Sequence, residues 1–134
     1  MNDYISYGYP TKKIINALVR KRGFLKKDAK KVAITDNVVI EEMLGEFNNG
    51  CICIEDIIDN IYKCYKPEHD DIFQEIRKVL WPFQLSSIKE TIAEANLKHD
   101  ATGRDIRKKN TKVMKGGYIG FMNSDINEFI RPLI

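Results

Sequence analysis

Apolar residues recur at helical spacing along most of this chain, and prolines, glycines and capping residues divide the runs, which commits it to a helix-rich fold with room only for short strands. After Pro10, the residues Ile14, Ile15, Leu18 and Val19 fall on one face up to Gly23, a natural left-handed terminator. This predicts a helix near 11–22, whose opposite face carries Lys12, Lys13, Asn16, Arg20 and Lys21, with Arg22 at its end. Lys31 to Thr35 alternates, placing Val32 and Ile34 on one side of a short strand. Asp36 or Asn37 can cap a helix through Leu44, with Gly45 as its end. Further helices are expected near 55–65, presenting Ile57, Ile58, Ile61 and Tyr62, and near 70–80, presenting Ile72, Phe73, Ile76, Val79 and Leu80 before Pro82. Ser87 with Glu90 forms a capping-box pattern for a weaker helix, and Ser124 precedes a last amphipathic segment with Ile126, Phe129 and Ile130. The expected class is α+β, in one domain of three segments: a basic helix and turn over 1–31, a helical core with an acidic face over 32–87, and an insertion, basic loop and amphipathic end over 88–134.

Charge is segregated along the same string. Lys12 to Lys31 holds nine Lys/Arg against one acid, Val32 to Ile76 eleven Asp/Glu against two Lys, and Arg77 to Ile134 eleven Lys/Arg against six acids. The net charge of +3 hides this layout. Two basic stretches held apart by an acidic one suit a polyanion, because clustered Lys/Arg release counterions from a phosphate backbone that repels carboxylates. Arg104 to Lys115 has six Lys/Arg and little apolar content, and reads as a basic loop that a partner would order.

At 134 residues and 43% apolar composition the chain can build an ordinary core. No apolar run approaches the ~20 residues that span a bilayer, and Met1-Asn2-Asp3-Tyr4 lacks the features of a signal peptide, so an intracellular, cytoplasmic protein without membrane contact is expected. Three cysteines, Cys51, Cys53 and Cys64, fit reduced thiols better than a disulfide framework.

Several short motifs then stand in order: Gly8-Tyr9-Pro10, Lys21-Arg22-Gly23-Phe24, Lys30-Lys31-Val32-Ala33-Ile34-Thr35-Asp36-Asn37, Leu44-Gly45, Cys53-Ile54-Glu55-Asp56, Ile61-Tyr62 and Leu80-Trp81-Pro82-Phe83 with Leu85-Ser86-Ser87. Lys115-Gly116-Gly117, Gly120, Asp125-Ile126-Asn127 and Ile130-Arg131 follow. The string resembles the large-subunit ribosomal protein family called L-seven in eukaryotes, the universal L-thirty family, over nearly the whole chain. The resemblance implies a structural protein that binds ribosomal RNA beside neighbouring ribosomal proteins, with no chemistry, cofactor or small-molecule substrate. It also implies that the chain matches the extension following the family's compact βαβ-type core. After Ser87 the family has a Pro and a basic Arg-Gly-Gly turn, whereas Ile88-Lys89-Glu90 opens an insertion here, so Arg104 to Lys109 are expected to take over that turn's RNA contacts.

The RNA-binding candidates are Lys12, Lys13, Arg20, Lys21 and Arg22, then Lys26, Lys27, Lys30 and Lys31, then Arg104, Arg107, Lys108, Lys109, Lys112 and Lys115. Tyr118, between Gly116-Gly117 and Gly120, is a candidate for base stacking, and the glycines could let backbone N–H groups approach phosphate. Trp81 could stack too, although a Trp between Leu80 and Pro82 reads more readily as a core anchor. Cys51, Cys53, Cys64 and His69 match no usual zinc spacing and read as structural thiols and a surface histidine. His69-Asp70 and His99-Asp100 lack any nucleophile or oxyanion site, so no enzyme is expected. A competing reading makes the helices near 37–44 and 55–65 a DNA-binding helix-turn-helix, against which Glu55, Asp56 and Asp59 would put carboxylates into the groove.

Overall fold

The computed structural model describes residues 3–46, 51–63, 70–87, 102–108 and 110–134, and shows an α+β chain with five α-helices and four short strands among them. Its residues group into two compact units, Met1–Ile14 with Leu85–Ile134, and Ile15–Gln84. Helix α1, Lys12–Arg22, begins in the first unit and runs into the second.

The Ile15–Gln84 unit is built on the amphipathic spacing of its helices. Strands β2, Phe24–Lys27, and β3, Lys30–Ala33, pair antiparallel, with Phe24 opposite Ala33 and Lys27 opposite Lys30. Asp28 and Ala29 link them at positive φ, 49° and 61°, as a two-residue hairpin needs if the turn is to match the strand twist. Helix α2, Asn37–Leu44, starts where Asp36 accepts a hydrogen bond from the Val38 N–H at 2.9 Å. Helices α3, Ile54–Tyr62, and α4, Asp70–Val79, follow. Ile15 and Val19 of α1, Leu25, Ile34, Ile40, Leu44, Cys51, Ile57, Ile58, Ile72 and Ile76 form one buried cluster. Each such side chain contributes ~1.5–3 kcal/mol on burial, enough to override the polar character of the neighbouring hairpin residues. A bridge from Leu25 to Leu80 and a bond from the Trp81 N–H to Phe24 O at 2.8 Å tie the segment after α4 to β2.

In the other unit β1, Ser6–Tyr7, runs parallel to β4, Gly120–Phe121, before helix α5, Asp125–Ile130, and a 3-10 turn at Arg131–Leu133. Tyr118, Met122 and Ile126 form its buried cluster. Asn127, itself buried, accepts from the Thr11 N–H at 2.7 Å and donates to Tyr9 O at 3.1 Å and Ser124 O at 2.9 Å. The helix entry at 9–11 is thereby fastened to α5.

Two expectations change. Gly23 is not left-handed: its φ is negative, and an added Cβ would lie 2.1 Å from Val19 O and 2.9 Å from the Ile34 side chain, so close packing selects glycine. Gly45 ends α2 as expected, in a right-handed conformation at φ −71°. The stretch from Arg104 is not a plain loop, since Ile106–Lys108 and Val113–Lys115 are 3-10 turns and Lys112 bridges to Ile119. The anticipated helix beyond Ser87 lies outside the described residues.

Candidate nucleic-acid interface

Helix α1 is basic at both ends. Arg20, Lys21 and Arg22 in its last turn complement the helix dipole, whereas Lys12 and Lys13 in its first turn oppose it, so their charge is not there to stabilise the helix. Lys12, Lys13 and Lys21 are exposed and Arg22 is half-buried. Arg20 donates through Nε to Asn16 at 2.7 Å and through a terminal nitrogen to Glu55, the two side chains being 49% and 61% exposed. Glu55 lies at the start of α3, and its carboxyl is held below the usual carboxylate range by its own backbone N–H first and by Arg20 second. Lys27 pairs with Glu42 at 2.6 Å, and that hydrogen bond lifts its ammonium above the ordinary lysine value. Two of the predicted phosphate ligands therefore already hold carboxylates from the acidic stretch. Exposed pairs of this kind contribute little to stability, so a phosphate can compete for both cations.

The hairpin adds exposed Lys26, Lys30 and Lys31. The Lys31 ammonium stands 4.0 Å from the centre of the Phe24 ring and donates to Gln84 at 3.4 Å. Among the described residues neither Lys26 nor Lys30 is in an ion pair.

The second basic stretch divides. Arg107 is clamped to Asp105 at 2.6 Å, a contact that raises its already high pKa, and Lys112 pairs with Asp3 at 2.7 Å. Lys108 and Lys115 are exposed, while Lys109 lies outside the described residues. Arg104 points inward: its side chain is 15% exposed and bonds to Gly117 O at 3.0 Å and to Asp125 at 3.1 Å. It braces the glycine turn instead of facing solvent. Tyr118, read from sequence as a stacking group, is 2% exposed and packs on Phe129 with ring centroids 4.9 Å apart. It is a core residue, and it shares its cluster with Met122 and Ile126. The Gly116, Gly117 and Gly120 N–H groups are bonded to Val113 O, Lys112 O and Ile5 O, so they do not await a phosphate. Gly117 is required because a Cβ would lie 2.0 Å from Thr111 O.

Cys51 is buried, with Asn60 donating to its Sγ at 3.4 Å, and burial pushes the thiol up to about 11. Cys53 stands half-buried at the start of α3. Cys64, His69 and His99 lie outside the described residues. Trp81 is half-buried rather than a full core anchor, and it lines two grooves with Arg77, one of them also with Lys78; neither cation was among the candidates read from sequence. The available signal was the pairing of those cations directly before Leu80-Trp81-Pro82.

No family model matches the chain. Among curated proteins, the large ribosomal subunit protein uL30A of Schizosaccharomyces pombe is 38% identical over 131 residues, 98% of this chain and 45% of the relative. The uL30 proteins of Neurospora crassa and Caenorhabditis elegans are each 35% identical, over 97% and 98% of this chain and 44% and 45% of their own length. The chain belongs to the uL30 family. It spans less than half the length of these uL30 relatives, and the matched region contains nearly all of the candidate cations described above. Among the described residues no helix is long and apolar enough to cross a membrane. Nothing in the comparisons favours the helix-turn-helix alternative.

Proposed function

We propose that this chain is a structural, non-catalytic constituent of the large ribosomal subunit, which binds and stabilises ribosomal RNA in the cytoplasm beside neighbouring ribosomal proteins. The observation that carries this reading is the identity of 35–38% along almost the whole chain to proteins each named as large ribosomal subunit uL30. The exposed cations of α1, the β2–β3 hairpin and the turns at 106–115 support it, since phosphate contacts position a protein on folded RNA without reading bases. Lys13, Lys21, Lys26, Lys30, Lys108 and Lys115 are the cations to which we assign the first contacts; Arg20 and Lys27 join by exchanging Glu55 and Glu42 for phosphate. The acidic side chains from Glu41 to Glu75 are assigned to the side facing solvent or a basic protein.

The test is sedimentation of tagged chain through a sucrose gradient at moderate salt. Co-migration with large subunits is expected, and recovery only in the free fraction or on chromatin would count against the proposal.

A further inference from the structure

We infer that the two grooves flanking Trp81 form a pocket for a single unstacked RNA nucleotide, the base lying against the indole and the phosphate on Lys26 and Arg77. This inference rests on the RNA-binding reading above and names the chemistry of one contact within it. One groove, of about 450 Å³, is walled by Ile61, Phe73, Ile76 and Phe83 and is almost wholly apolar. The second, of about 440 Å³, is rimmed by Lys26, Lys78 and Gln84. Arg77, Leu80, Trp81 and Pro82 belong to both, so an apolar slot and a cationic one meet at these four residues.

That junction is held in place. The Trp81 N–H bonds to Phe24 O, Leu80 bridges to Leu25 in β2, and the cluster beneath includes Ile76. A main chain fixed beneath the indole lowers the ordering cost of binding.

Charge complementarity selects the occupant. Among the described residues no carboxylate lines either groove, while three cations do. Lys78 is engaged with Glu75 at 2.6 Å, but Lys26 and Arg77 are exposed and in no ion pair among the described residues. An apolar slot beside a phosphate-sized positive rim fits a nucleotide, which offers a flat π-face and an anion a few ångströms apart. A duplex keeps its bases stacked and could present only phosphate, so the pocket requires an unpaired residue of a loop, bulge or end. The sequence reading placed Trp81 in the core; its half-burial leaves a face available for this contact.

Trp81 is the chain's only tryptophan, so its emission reports on the pocket directly. The full chain is titrated with single-stranded oligo(A) RNA, with an RNA duplex of the same length and with an acidic peptide carrying leucine and phenylalanine anchors. Oligo(A) is expected to quench the emission, whereas the duplex binds without quenching and the peptide does neither. Trp81→Phe keeps oligo(A) affinity nearly intact, and Trp81→Ala weakens it about tenfold. The Lys26→Gln, Arg77→Gln double variant alters only exposed side chains, so it tests the pocket even if Trp81→Ala fails to fold. It should reduce the salt slope for single strands by about 0.7 per lost contact. Oligo(A) binding without quenching overturns the pocket and leaves the ribosomal RNA reading standing. Quenching by the peptide alone makes the groove a protein site and also overturns it. Failure to bind RNA of either kind overturns both readings.

Discussion

Asn127 and Cys51 are small residues on which much of each unit rests. Asn127 bonds residues 9 and 11 to α5 through both ends of its amide, so the two halves of the side chain can be tested separately. Asn127→Asp keeps the acceptor for Thr11 but loses the donors to Tyr9 and Ser124. Asn127→Ala loses all three bonds and leaves the Thr11 N–H without this partner, at a cost of about 1–2 kcal/mol. Urea unfolding followed by Tyr emission or amide exchange in this unit should rank the variants wild type, Asp, Ala, and an alanine variant as stable as the parent would refute the role given to this amide. For Cys51 the buried form is the neutral thiol. Burial raises its pKa from 9.0 to about 11, so the folded state binds this proton more tightly than the unfolded chain does. Its contribution is complete below pH 9.0 and is lost as pH climbs toward 11. Unfolding midpoints over that interval should fall less steeply in Cys51→Ala than in the parent chain.

At the scale of elements, what the sequence made legible was whatever a local signal controls. Asp36 caps α2 as read because a carboxylate before an apolar run has one obvious use, and α1 closes at Arg22 where expected although Gly23 serves there for close packing and not as a left-handed terminator. Strand β2 escaped notice since its turn is Asp28-Ala29, two residues that occupy positive φ without the usual asparagine and glycine. The inward turn of Arg104 was illegible for another reason: its partners Gly117 and Asp125 stand 13 and 21 positions away, and no spacing rule reaches that far. Tyr118 was misread because basic, glycine-rich neighbours masked its alignment with Met122 and Ile126. Of the candidate site, the list of cations was readable, but which of them hold carboxylates was not. For α1 this difference gives a graded prediction. Lys21→Gln should reduce the salt slope of RNA binding by about 0.7–0.9. Arg20→Gln should reduce it by less, because binding there displaces Glu55 instead of counterions alone. Equal slopes for the two variants would mean that the Arg20–Glu55 pair is open in solution.

For the whole molecule, burial among the described residues is unevenly shared: eleven of them form the cluster of the Ile15–Gln84 unit and three that of the other. Amide exchange in the free chain should therefore be slowest in α2 and α4 and faster in β1, β4 and the turns at 106–115. Ribosomal RNA should slow the latter group more. Uniform protection without RNA would contradict this ordering. The pairing of Ser6 with Gly120 has a temporal consequence as well. A chain made from its N-terminus onward has residues 15–84 in hand long before residue 120 exists, so the inner unit can fold while synthesis continues. The strand at Ser6–Tyr7 must meanwhile wait, its Tyr7 ring without Phe121 and its backbone unpaired by β4, until Gly120–Phe121 emerges to meet it. Such an interval is when a chaperone would find it.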